Sequence, residues 1–145
     1  MVRYSPRADA VGLIQALYDV LTRRGRLSLH MTDLPTGALG FTHFDSQTVY
    51  LAAGQTLPEM RSTLVHELVH LLRGPVPRRL AATEEVAVQH QTAHLLVPDG
   101  AELAGQRRWT EEDLQELAAR YLVDRDTIET ALNPPTIPWP RPESP

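Results

Sequence analysis

The sequence predicts an α+β fold: a small, mostly antiparallel sheet packed on two helices, with further helices after them. Three observations carry this. Short segments of alternating or β-branched character fall between residues 27 and 52. Two well-marked helical segments follow with no strand between them. The chain contains no later strand-like run, so strands and helices are segregated rather than alternated.

The elements follow in order. Ser5 and Pro6 suit an N-cap and first helical position. Val11, Ile14, Leu17, Tyr18 and Leu21 then recur at helical spacing until Gly25, giving a helix over 6–24. Leu27, Leu29 and Met31 alternate with polar neighbours as in a half-buried strand. Residues 39–44 and 48–52 flank Asp45-Ser46-Gln47 and read as a hairpin. Thr56 and Glu59 have capping-box spacing, and Gly74-Pro75 is a stop, which sets a helix at 58–73. A second helix spans 78–96 and ends before Pro98-Asp99-Gly100. Thr110 with its acidic followers opens a third, to Tyr121, and a fourth covers 125–132.

At 145 residues the chain suits one domain, 1–132, with 105–132 as a C-terminal helical subregion. Six of the last thirteen residues, 133–145, are proline, so that tail is expected to be disordered. A net charge of −4 argues against an extended nucleic-acid surface. With no cysteine, disulfides and thiolate metal sites are excluded. The apolar stretch 11–21 is broken by Gly12, Gln15 and Asp19, and no run reaches the roughly 20 residues of a bilayer span. A cytoplasmic protein with no membrane partner is the expectation.

The capped helix contains His66-Glu67-Leu68-Val69-His70. Histidines four apart share a helical face, so both imidazoles can reach one Zn²⁺. Glu67 follows the first histidine and is placed to act as the catalytic base on a water polarised by the metal. The pattern is short, and a polar-face His–Glu–His cluster would produce it too. Val65, Leu68, Val69, Leu71 and Leu72 weigh against that, because a helix so apolar is buried and its polar groups then need partners.

A catalytic site wants a third protein ligand. The next helix offers Glu84 and Glu85. Glu85 shares a face with Val88, Thr92, Ala93 and Leu96, somewhat more apolar than the Glu84 face, which leans toward Glu85 and leaves Glu84 open as the alternative. The one that does not bind is expected to be a solvated carboxylate. His90 and His94 form a second pair, lie off the Glu85 face and are not expected as ligands, though one of them is placed to line a cleft. His30 and His43 read as structural or exposed. Tyr50, His90 and His94 are weak candidates for stabilising an oxyanion.

These residues resemble the ImmA/IrrE family of metallopeptidases, a gluzincin-like group. The resemblance runs from Thr48-Val49-Tyr50-Leu51 through Arg61 to His70 and on to Glu85 and Leu95-Leu96-Val97-Pro98. In the family's second signature the ligand glutamate stands thirteen residues before the proline, which corresponds to Glu85. The resemblance implies a zincin-like minimal metallopeptidase fold, zinc held by His66, His70 and Glu85, and a helix-turn-helix repressor of a phage, mobile element or stress response as substrate. Val69, Gln89 and the short loop after His70 depart from the family pattern without removing a ligand or the base.

Leu114 to Ile128 reads like a helix-turn-helix, but its acidic residues favour packing or partner docking over DNA binding. A strand beside the metal helix, 39–44 or 48–52, is expected to align substrate as an added strand. The leading expectation is therefore a zinc endopeptidase. The alternative is a non-catalytic zinc-containing module that binds a repressor, and a third reading is a DNA-binding factor.

Overall fold

The computed structural model describes residues 27–134. The helix expected at 6–24 and the tail from 135 on lie outside the described residues. Three strands, β1 (Ser28–Thr32), β2 (Gly40–His43) and β3 (Thr48–Ala52), precede five helices: α1 (Leu57–Arg73), α2 (Ala81–Leu96), α3 (Gly100–Gln106), α4 (Glu111–Tyr121) and α5 (Arg125–Leu132).

The sheet has the order β1-β3-β2. β2 and β3 form the expected antiparallel hairpin, with His43 opposite Thr48. β1 pairs with β3 in parallel, Leu29 beside Val49 and Met31 beside Leu51. Half of the pairing is thus parallel, which corrects the expectation of a mostly antiparallel sheet. The physical reason is burial. The most apolar strand, β3, takes the middle, where Val49 and Leu51 are covered. β1 and β2 run in the same relation as a hairpin but are separated by that inserted strand. Among the described residues β1 is an edge, and its Leu29 and Met31 are 39% and 61% exposed rather than half-buried.

α1 begins with the capping box read from the sequence. Thr56 Oγ1 accepts from the Glu59 backbone, and Glu59 Oε1 accepts from the Thr56 N–H at 3.0 Å. Gly74 ends it at φ +86°, a conformation that disfavours any side chain. The helix lies between two apolar clusters. Leu68 packs with Val49 and Leu51 of the sheet. Val65 and Val69 join Val88 and Leu96 of α2, Leu103 of α3, Leu117 of α4 and Ile128 of α5. Burial on two sides explains why α1 is apolar nearly all round.

A 3-10 turn, Arg78–Leu80, leads into α2. α4 opens with a second capping box, Thr110 with Asp113. α5 is capped by Asp124. The sequence reading has no helix at α3, taking Pro98-Asp99-Gly100 as a stop followed by loop. α3 is short, has only Leu103 as a large buried side chain, and is held by tertiary bonds: Trp109 Nε1–H to the Leu103 carbonyl at 2.8 Å and Tyr121 O–H to the Asp99 carboxylate. Among the described residues, no helix is long and apolar enough to cross a membrane.

Candidate metal centre

The third stripe of α1 faces neither apolar cluster and carries His66 and His70, which stand one helical turn apart with ring centroids at 5.0 Å. α2 runs beside α1 and brings Glu85 to them. Glu85 Oε1 lies 2.6 Å from His66 Nε2, and Oε2 lies 2.9 Å from His70 Nε2. One ligand atom from each of the three side chains falls within 4.8 Å of the others. Two imidazole nitrogens and a carboxylate aimed at one small volume are a donor set that fits a borderline divalent ion such as Zn²⁺. Hydrogen bonds from His66 and then His70 hold the Glu85 carboxyl far below its ordinary value, against the opposing effect of burial. Burial disfavours the charged His70 imidazole, but the hydrogen bond and charge of Glu85, with Glu67 and Glu84 further off, outweigh it and raise the His70 pKa.

Glu84 is not a solvated carboxylate, which corrects that expectation. The Arg73 guanidinium grips it with two nitrogens, Nε to Oε1 and Nη2 to Oε2, the second at 3.0 Å. Both side chains are nearly buried, at 5% and 13% exposed. The pair joins the end of α1 to the start of α2 and engages Glu84 away from the two histidines.

Glu67, next to His66, is buried between the cleft and the edge strand. Thr42 on β2 donates from Oγ1 to Glu67 Oε2 at 2.5 Å. Gly40, two residues earlier on the same strand, leaves the room: a Cβ there would stand 2.6 Å from Thr63 Cγ2 and 2.9 Å from Glu67 Cγ and Oε1. Sequence reasoning missed both residues. Their only signal is a glycine and a β-branched hydroxyl residue two apart on a strand, which share one face of it.

A cleft of about 860 Å³ opens beside this group. His66, Glu67 and Glu85 line it, with Leu39 and Gly40 at the edge strand and Asp124 to Asn133 across from them. β2 is the strand at this edge; β3 is interior. Of the oxyanion candidates, His90 lines the cleft. His94 is exposed and absent from the lining, and Tyr50 sits on the opposite sheet face between His30 and Phe41. His43 is exposed and bonds Ser46 at 2.7 Å. The C-terminal helices meet at a three-residue turn, 122–124, and α5 turns part of its polar side to the cleft.

The Peptidase_M78 family model, described as IrrE N-terminal-like domain, matches residues 22–133. No curated protein matches the chain.

Proposed function

The chain belongs to the IrrE N-terminal-like peptidase family, and on that premise we propose that it is a zinc-dependent endopeptidase that hydrolyses a peptide bond in a regulatory protein. The observation that carries the reading is the convergence of His66, His70 and Glu85 on one point with Glu67 next in sequence to the first ligand. His66, His70 and Glu85 would hold the ion. A zinc ion so bound supplies Lewis-acid polarisation of a carbonyl and makes a water acidic enough to lose its proton near neutral pH. Glu67 takes that proton and delivers it to the leaving amine. Thr42 engages Oε2 of Glu67 and fixes the carboxylate, leaving Oε1 for the transfer. The backbone of β2 pairs with the substrate as an added strand, and His90 is the side chain available to donate to the oxyanion.

The substrate we propose is a helix-turn-helix repressor, reached in the cytoplasm, which is what the resemblance of the His66–His70 and Glu85–Pro98 segments implies. The helices α4 and α5 serve packing and partner docking in this reading. The test compares new protein N-termini in a cell extract treated with zinc-loaded protein and with Glu67→Gln. Cleavage sites made by the wild type and absent with Glu67→Gln, at equal metal content, are expected. Full cleavage by Glu67→Gln would overturn the mechanism. A repressor retained by both proteins with no cut made by either would turn the reading to a non-catalytic binding module.

A further inference from the structure

The cleft extends past the metal-binding group into a recess between α1, α2 and α5. Among the described residues, the charged side chains that line the cleft apart from Glu67 and Glu85 are Asp124, Asp126 and Glu129, with no arginine. Asp124 accepts the Thr127 N–H at 3.0 Å through Oδ1 as the α5 cap. Arg125 beside them bonds Glu111, Asp126 and Glu129. One cation thus meets three carboxylates there, with Asp124 in addition, and the wall keeps an excess of negative charge. A second observation is independent of these acids. Thr92 lies two helical turns from Glu85 on α2, lines the cleft and is 4% exposed. Its Oγ1 is buried with no hydrogen-bond partner among the described residues. A buried hydroxyl normally finds a partner. A helical threonine often uses the carbonyl four residues back, and Thr92 does not.

We propose that this recess is a specificity subsite that takes a long cationic side chain of the substrate, an arginine, close to the bond that is cut. It rests on the peptidase reading for its purpose, and on the acids and Thr92 for its chemistry. Carboxylates only accept hydrogen bonds, and the buried Thr92 Oγ1 lacks a hydrogen-bond partner among the described residues, so a donor brought in by a shift of its side chain would satisfy it. An arginine brings five N–H donors and a fixed charge, whereas an acidic side chain brings neither. Asp126 and Glu129 supply the field at the rim, and Thr92 supplies the acceptor within.

The experiment titrates the full chain, with and without added zinc, with N-acetyl-arginine amide, its neutral isostere N-acetyl-citrulline amide and N-acetyl-glutamate amide, following threonine methyl resonances by NMR. Arginine amide is expected to shift Thr92 and Thr130 and to bind at least ten-fold more tightly than citrulline amide. Asp126→Asn with Glu129→Gln is expected to remove that preference. Thr92→Val is expected to weaken arginine binding while Thr92→Ser restores it. Equal binding of arginine and citrulline amides, or no shift at Thr92, would overturn the subsite. Arginine binding in a protein that cuts no peptide would sink the peptidase reading and leave the subsite standing.

Discussion

Thr42 Oγ1 and Glu67 Oε2 are 2.5 Å apart, a contact between an edge strand and the interior of the metal helix. Among the described residues no other side chain bonds this carboxylate, and Glu67 is 7% exposed. Thr42→Val keeps the shape and removes the donor, so it is expected to destabilise the fold by about 1–3 kcal/mol. With Glu67→Gln already in place the same change should cost measurably less. Urea unfolding of the four proteins of this double-mutant cycle reads the coupling directly, and strict additivity would show the contact to be energetically idle.

Gly40 permits that contact. Gly40→Ala puts a carbon 2.6 Å from Thr63 Cγ2 and 2.9 Å from Glu67. The strand or the glutamate must move, at about 1–3 kcal/mol. Cleavage rate is expected to fall far more than metal content. Unchanged catalysis in a normally stable Gly40→Ala protein would show that the strand carries no constraint on Glu67.

Two glycines of α3 separate packing from propensity. A Cβ at Gly100 would lie 2.4 Å from the Ala131 carbonyl oxygen, while one at Gly105 meets nothing within 4 Å. Gly100→Ala should therefore lower the melting temperature. Gly105→Ala should raise stability by roughly 0.4–1 kcal/mol. Calorimetry of the two variants distinguishes them by sign.

Neighbouring glutamates should part company in a metal count. Glu85→Ala and His70→Ala are expected to lose the ion by mass spectrometry. Glu84→Ala should retain it, yet lose about 1.5–3 kcal/mol because Arg73 is left nearly buried without its carboxylate. Equal metal loss from Glu84→Ala and Glu85→Ala would contradict the assignment.

Acid should loosen the two helix starts. Hydrogen bonds from Thr56 hold Glu59 below its ordinary value of 4.5. The Thr110 backbone and Arg107 hold Asp113 below 3.8. Depressed folded values mean that the unfolded chain binds protons first. The stabilisation is complete above those ordinary values and is lost as pH falls through the lower folded ones. Melting temperature against pH should be flatter for the Glu59→Gln, Asp113→Asn double variant than for wild type across that acid range.

What could be read in advance divides by range along the chain. The capping boxes at Thr56 and Thr110, the stop at Gly74 and the shared face of His66 and His70 are local matters of helical period, and they are legible in the residues. Glu85 was reachable because α1 and α2 are joined by a short loop, which leaves few faces that can meet. The middle position of β3 was not legible, because strands adjacent in sequence are the natural pairs and only the burial of Val49 and Leu51 decides otherwise. Nor was α3, whose hold comes from Trp109 and Tyr121 rather than from its own residues. Thr42, Gly40 and the Arg73–Glu84 pair were invisible for the same reason: each matters through a partner far off in sequence.

Arg61 sits in the same helix as the histidines, is 9% exposed, and donates from Nη1 to the carbonyls of Tyr121, at 3.0 Å, and Leu122. Burial lowers its pKa, and no carboxylate bonds it among the described residues. Pulling α4 and α5 away would strand that guanidinium against greasy surroundings while also unzipping the apolar cluster shared by all five helices. The C-terminal third is therefore no detachable appendage: heat or denaturant should dissolve it and the histidine helix in one concerted step, and cutting the chain before Thr110 should collapse the ion-binding pocket along with the rest.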